Sequence, residues 1–81
     1  TLEAKIGKIL AAMSIEDKVG QVIQADIATV KPEDLKTYKL GSVLNGGNSA
    51  PNNDELAPPA EWLKLADAFY DASMQRNDGR P

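Results

Sequence analysis

Leu40-Gly41-Ser42-Val43-Leu44-Asn45-Gly46-Gly47 (LGSVLNGG) is the stretch on which the fold turns. Its first five residues are mostly apolar, and the next three are turn formers. The segment reads as a buried strand, over about 41–45, that runs straight out into a glycine–asparagine loop. Downstream the loop chemistry continues through Ser49, Pro51, Asn52, Asn53, Pro58 and Pro59. Glycine and asparagine reach positive φ and proline blocks regular hydrogen bonding, so no regular element is expected before residue 59. Loops of that length inside a short chain are usually functional or disordered. Pro59 then opens the strongest helix, over about 59–75. Trp62, Leu65, Ala66, Phe69 and Ala72 recur at spacings of three and four, with Glu61, Lys64, Asp67 and Asp71 on the other side. Asn77-Asp78-Gly79 is expected to terminate it. A strand, a loop at its C-terminal end and then a helix is the grammar of an α/β fold.

Upstream the elements are shorter. Leu2, Ile6, Ile9, Leu10 and Met13 share one face of a helix over about 2–13. Ser14 caps a second helix, about 15–20, with Asp17 in capping-box position. Val22 and Ile23 place a short buried strand over about 21–27. Pro32, followed by Glu33 and Asp34, starts a helix over about 32–38. The inventory does not close on itself. Two short strands do not make a stable sheet, and the last helix carries Leu63, Tyr70 and Met74 beyond its main apolar stripe. The chain stops at Arg80-Pro81, where an α-to-β connection should lead into another strand. The expectation is the first piece of a larger α/β domain.

Composition excludes several chemistries. The 81 residues include no histidine and no cysteine. Disulfides, thiolate nucleophiles, cysteine- or imidazole-ligated metals and Ser-His-Asp machinery are therefore absent from the sequence. Nine basic and twelve acidic side chains give a net charge of −3, against the basic footprint that phosphate binding needs. No apolar run approaches the ~20 residues of a membrane span. Neither a nucleic acid nor a membrane is an expected partner.

Carboxylates are the remaining acid–base candidates. The neighbours Glu16/Asp17 and Glu33/Asp34 fit helix N-terminal charge, and Asp54/Glu55 are likewise adjacent, so the two side chains of each pair point apart. Asp67 and Asp71 share a helix face, which reads as the solvated one. Asp26 follows an apolar run and stands as a strand-end carboxylate with no partner visible in the sequence. Asn45 to Asn48 matches neither phosphate-loop pattern. A plain turn accounts for it, and its glycines also permit close approach to a ligand. Trp62 reads as core at its helical spacing, with a sugar-stacking role as the lesser alternative.

Three stretches together resemble the N-terminal segment of glycoside hydrolase family 3, the β-glucosidase and exo-β-glucanase family. Met13-Ser14-Ile15-Glu16-Asp17-Lys18-Val19-Gly20-Gln21 (MSIEDKVGQ) is similar to the family's M-[ST]-x-E-[ED]-K-[VI]-G-Q opening. LGSVLNGG is similar to its G-S-[VL]-L-x-G-G strand and loop. Glu61-Trp62 through Phe69-Tyr70-Asp71-Ala72-Ser73-Met74 is similar to the helix that follows. Order and separations agree across nearly the whole chain.

The resemblance implies the N-terminal part of a (β/α)₈ barrel, incomplete as given, with a second α/β domain in the parent protein. It implies retaining hydrolysis of terminal β-linked glucose, with an Asp nucleophile and a Glu acid/base about 5–5.5 Å apart, and no cofactor. Neither catalytic residue falls in this segment, so the 81-residue chain alone is expected to be inactive. The aspartate that grips the sugar, in the family's G-x-D-A-x-H-G stretch, would follow Pro81. Gly47, with Gly46, is the candidate substrate-binding pair, at the mouth of the sugar pocket. Asp26 gains no role from the resemblance. A secreted or periplasmic location is expected from the family. The alternatives are the β-N-acetylhexosaminidase branch and a small non-enzymatic interaction domain that binds through the Trp62 helix.

Overall fold

A computed structural model describes residues 1–75. The chain runs through α1 (Leu2–Ala12), α2 (Ile15–Gln21), β1 (Gln24–Asp26), α3 (Asp34–Thr37), β2 (Ser42–Leu44), a 3₁₀ turn at Pro51–Asn53 and α4 (Pro59–Met74). The two strands pair in parallel, Gln24 opposite Ser42, Ala25 opposite Val43 and Asp26 opposite Leu44. The Ile27 amide extends the ladder by donating to the Leu44 carbonyl at 3.1 Å. Parallel pairing brings the C-terminal ends of both strands to one edge, and their following loops leave from that edge.

The helix ends follow local chemistry. Thr1 caps α1 by accepting from the Ala4 amide at 3.1 Å. Ser14 and Asp17 form a reciprocal capping box on α2: the Asp17 amide donates to Ser14 Oγ, and the Ser14 amide to Asp17 Oδ2. That box satisfies two backbone donors that the first helical turn leaves open. Pro59 starts α4, where its missing N–H costs nothing.

Three elements differ from the sequence expectation. The strand expected over 21–27 begins only at Gln24. Gln21 completes α2, Val22 is its C-cap, and the Ile23 amide donates to the Gly20 carbonyl at 3.1 Å. Helix-end hydrogen bonds thus claim the two residues whose β-branching favoured a strand. The helix expected over 32–38 is one turn, Asp34–Thr37. Its Asp34, Leu35 and Lys36 amides donate to carbonyls three residues back, which tightens residues 31–36 into consecutive turns. On α4, Ala66 is exposed, and Ala68 and Ser73 take inward positions instead. The stop expected at Asn77–Gly79 lies outside the described residues.

At the N-terminal edge of the strand pair the backbones of residues 20–21 and 39–41 come together. The Gly41 amide donates to the Gly20 carbonyl at 2.8 Å. A Cβ added at Gly20 would lie 2.5 Å from the Lys39 carbonyl oxygen, and one at Gly41 would overlap the Gln21 carbonyl. Only glycine permits that approach, and the Lys39–Asp17 ion pair at 3.6 Å closes over it.

The packing is thin. α4 lies against α3 and the 3₁₀ turn, and the buried apolar side chains among the described residues are Leu35, Ala72 and Pro51. No residue of α1 is buried. Leu2, Ile15, Val22, Leu56 and Leu63 are each more than 60% exposed. The radius of gyration is 14.4 Å and the extents are 45 × 20 × 19 Å, whereas a compact domain of this length has a radius near about 12 Å. The accessible surface of 6003 Å² likewise exceeds the ~4,700 Å² of a folded monomer of this mass.

Candidate functional site

The edge where both strands end gathers the polar groups with the most definite geometry. Asp26 closes β1. Its Oδ1 accepts the Ala28 amide at 2.8 Å, an Asx turn that bends the chain away from the sheet. Its carbonyl accepts the Thr29 and Val30 amides and the Thr29 hydroxyl. The same Oδ1 accepts the hydroxyl of Ser49, 23 residues on. Ser49 is buried, and its amide donates to the Gly46 carbonyl at 3.0 Å. One serine thus joins the end of β1 to the turn that leaves β2.

The turn itself is left-handed. Gly46 has φ 115° and Gly47 φ 63°. Gly46 adopts a conformation that side chains rarely tolerate. A Cβ added at either position would meet nothing within 4 Å. The Gly47 backbone is exposed and that of Gly46 half-buried, so their main chain faces open space at the C-terminal edge. Farther along, Asn52 and Asn53 are also at positive φ, 55° and 60°. Together with the 3₁₀ turn they give residues 45–58 a defined path.

Ser49's hydrogen bond, and after it that from the Ala28 amide, holds the Asp26 carboxyl below the usual aspartate range. The Asp17 carboxyl is also lowered, first by the Ser14 backbone amide and further by the Ser14 hydroxyl and Lys39, against an opposing cost of partial burial. Asp17 caps a helix at the opposite end of β1 and takes no part in this edge.

The other sequence candidates separate from it. Asp67 and Asp71 are both exposed on α4. Trp62 is half-buried, and its indole N–H donates to the Ala57 carbonyl at 3.2 Å, so it locks the loop onto α4 rather than presenting a bare ring. A hollow of about 190 Å³ lies between the 3₁₀ turn and α4, lined by Pro51, Asn52, Glu61, Lys64, Leu65 and Ala68. It does not include Gly46 or Gly47. Among the described residues no group of three or more acidic side chains is placed to hold a metal ion, and no helix is long and apolar enough to cross a membrane. The sequence reading missed Ser49 and left Asp26 without a partner. The available signal was the parallel register, which sets Asp26 level with Leu44, five residues before Ser49.

Comparison with solved structures gives this edge a setting. The crystal structure of an exo-1,3/1,4-β-glucanase (ExoP) from a Pseudoalteromonas species matches 96% of the chain at 48% identity, with a TM-score of 0.83. The chain belongs to glycoside hydrolase family 3. A second crystal structure, of a single-site mutant of ExoP, matches with the same identity, coverage and TM-score. This family 3 segment spans only 10% and 13% of those two glucanase chains. No protein-family model and no curated protein matches the chain.

Proposed function

We propose that the chain is a segment of a retaining β-glucosidase or exo-β-glucanase that removes terminal β-linked glucose from oligo- or polysaccharides. The observation that carries this reading is the 48% identity to an exo-1,3/1,4-β-glucanase over 96% of the chain. In this reading β1, α3 and β2 form one βαβ unit of a (β/α)₈ barrel. The C-terminal edge of the strand pair is then the face where such barrels carry their active sites. The exposed Gly47 and half-buried Gly46 support a place for that turn at the rim of the sugar pocket, and the open space where their side chains would stand leaves room for a ligand. The parent protein would be secreted or periplasmic, would need no cofactor, and would carry a second α/β domain.

The catalytic pair is assigned to the rest of the protein. Retention needs two carboxyl groups about 5–5.5 Å apart across the glycosidic bond. Asp26 shares the edge with Ser49 and two glycines rather than with a second acid, and its low-lying carboxyl is engaged by two donors. The thin packing weighs against an autonomous interaction domain.

The test has two arms. The 81-residue chain alone is expected to leave an aryl β-glucoside intact. The full-length protein that carries it is expected to release glucose with the β-configuration first, followed by NMR. Turnover by the isolated chain would refute the assignment of catalysis elsewhere. Release of the α-anomer, or of N-acetylglucosamine alone from the matching substrates, would refute the retaining glucosidase.

A further inference from the structure

We propose that Asp26 and Ser49 are a positioning pair that fixes the Gly46–Gly47 turn and thereby sets how tightly the pocket holds its sugar. The inference rests on the reading of that turn as part of the sugar site. Its basis is a chain of hydrogen bonds with few competitors. Asp26 is anchored in the sheet edge through its Oδ1 to Ala28 and its carbonyl to Thr29 and Val30. Ser49 is anchored on Asp26 by its hydroxyl, and Gly46 on Ser49 by the amide. Nothing packs against the side of Gly46 or Gly47 where a Cβ would stand. The two glycines bring no side chain of their own to hold the turn; the Ser49 amide contributes a tie to Gly46, and the buried hydroxyl keeps Ser49 in place.

The residue types suit the task. A carboxylate accepts more strongly than a neutral oxygen, and Asp26 Oδ1 serves two donors at once. The serine hydroxyl is short and buried, so it has one place to go. Asp26 ends one strand and Ser49 lies in the loop after the other, so the link fixes the turn relative to the sheet. Neither side chain needs to touch the sugar, since each acts through the backbone of residues 46–47.

The experiment uses the full-length protein, with Ser49→Ala, the near-isosteric Asp26→Asn, and Gly47→Asn, which puts a side chain into the open space at a left-handed position asparagine tolerates. Steady-state kinetics on an aryl β-glucoside are read together with thermal melting. Ser49→Ala is expected to raise KM about 5–20-fold, as for loss of one or two hydrogen-bond contributions, and Asp26→Asn, whose amide oxygen accepts more weakly than the carboxylate, to raise it about 2–5-fold, both with kcat near wild type and the melting temperature within a few degrees. Gly47→Asn is expected to raise KM as well. If Gly47→Asn changes KM and the pair variants lower only the melting temperature, or change nothing, the pair is structural and the proposal falls while the loop reading stands. If Gly47→Asn leaves KM unchanged, the turn lies away from the sugar and both fall.

Discussion

At the scale of single residues, two contacts carry definite consequences. Asp17 and Asp26 both have folded-state pKa values below those of an unfolded chain. Their contribution to stability is complete above the ordinary aspartate range near about 4 and is lost as the pH falls through the lowered folded values. The protein carrying this segment should therefore unfold at lower urea as the solution is acidified below about pH 4. Asp26→Asn should flatten that decline, because one of the two linked groups no longer titrates. A slope identical to wild type would contradict the assignment. Gly41 is the second case. A methyl group there overlaps the Gln21 carbonyl, which is backbone and cannot swing aside. Gly41→Ala is expected to cost about 1–3 kcal/mol as overpacking, seen as a lower denaturation midpoint. An unchanged midpoint would mean that the strands separate there at no cost.

At the scale of elements, Leu35 shows how much a single helical turn can matter. α3 is four residues long and packs against α4, and its Leu35 is 4% exposed. Leu35→Ala should destabilise by about 2–4 kcal/mol, and a loss below about 1 kcal/mol would show that the site collapses around the smaller side chain. The elements also show what a sequence discloses. α2 and α4 were legible because capping residues and proline act within one turn. The strand at 21–27 was misplaced by three residues because Val22 and Ile23 report a preference for extended backbone, whereas the nearby Gly20–Gly41 contact and the end of α2 decide where pairing starts. The helix expected at 32–38 contains α3 but is too long, since Pro32 and the acids after it fit a turn as well as a helix. Gly46 and Gly47 were readable as turn residues from composition. Ser49 was not, because its partner is distant in sequence and only the parallel register makes the two neighbours.

At the scale of the whole molecule, exposed apolar surface outweighs the core. The α1–α2 groove, lined by Ile6, Ile9, Leu10, Met13 and Val22 among others, encloses about 380 Å³ of open space. Exposed patches of this kind mark surfaces that other structure covers. The isolated 81-residue chain is expected to keep helical circular dichroism while melting without a cooperative transition, and to bind a hydrophobic dye. A sharp, concentration-independent melt of a monomer would instead establish an autonomous domain and weaken the reading as a barrel segment.

The two-stranded sheet has a consequence for isotope labelling. Successive amides of a strand point to opposite sides, and among the described residues each strand has a neighbour on one side only. About half of the amides in Gln24–Asp26 and Ser42–Leu44 therefore face away from the ladder, and in the isolated chain they should take up deuterium within seconds. Embedded in a closed barrel, the same amides would all be paired and would exchange orders of magnitude more slowly. The six strand residues thus serve as a built-in reporter, and their labelling pattern registers whether further strands pair with them.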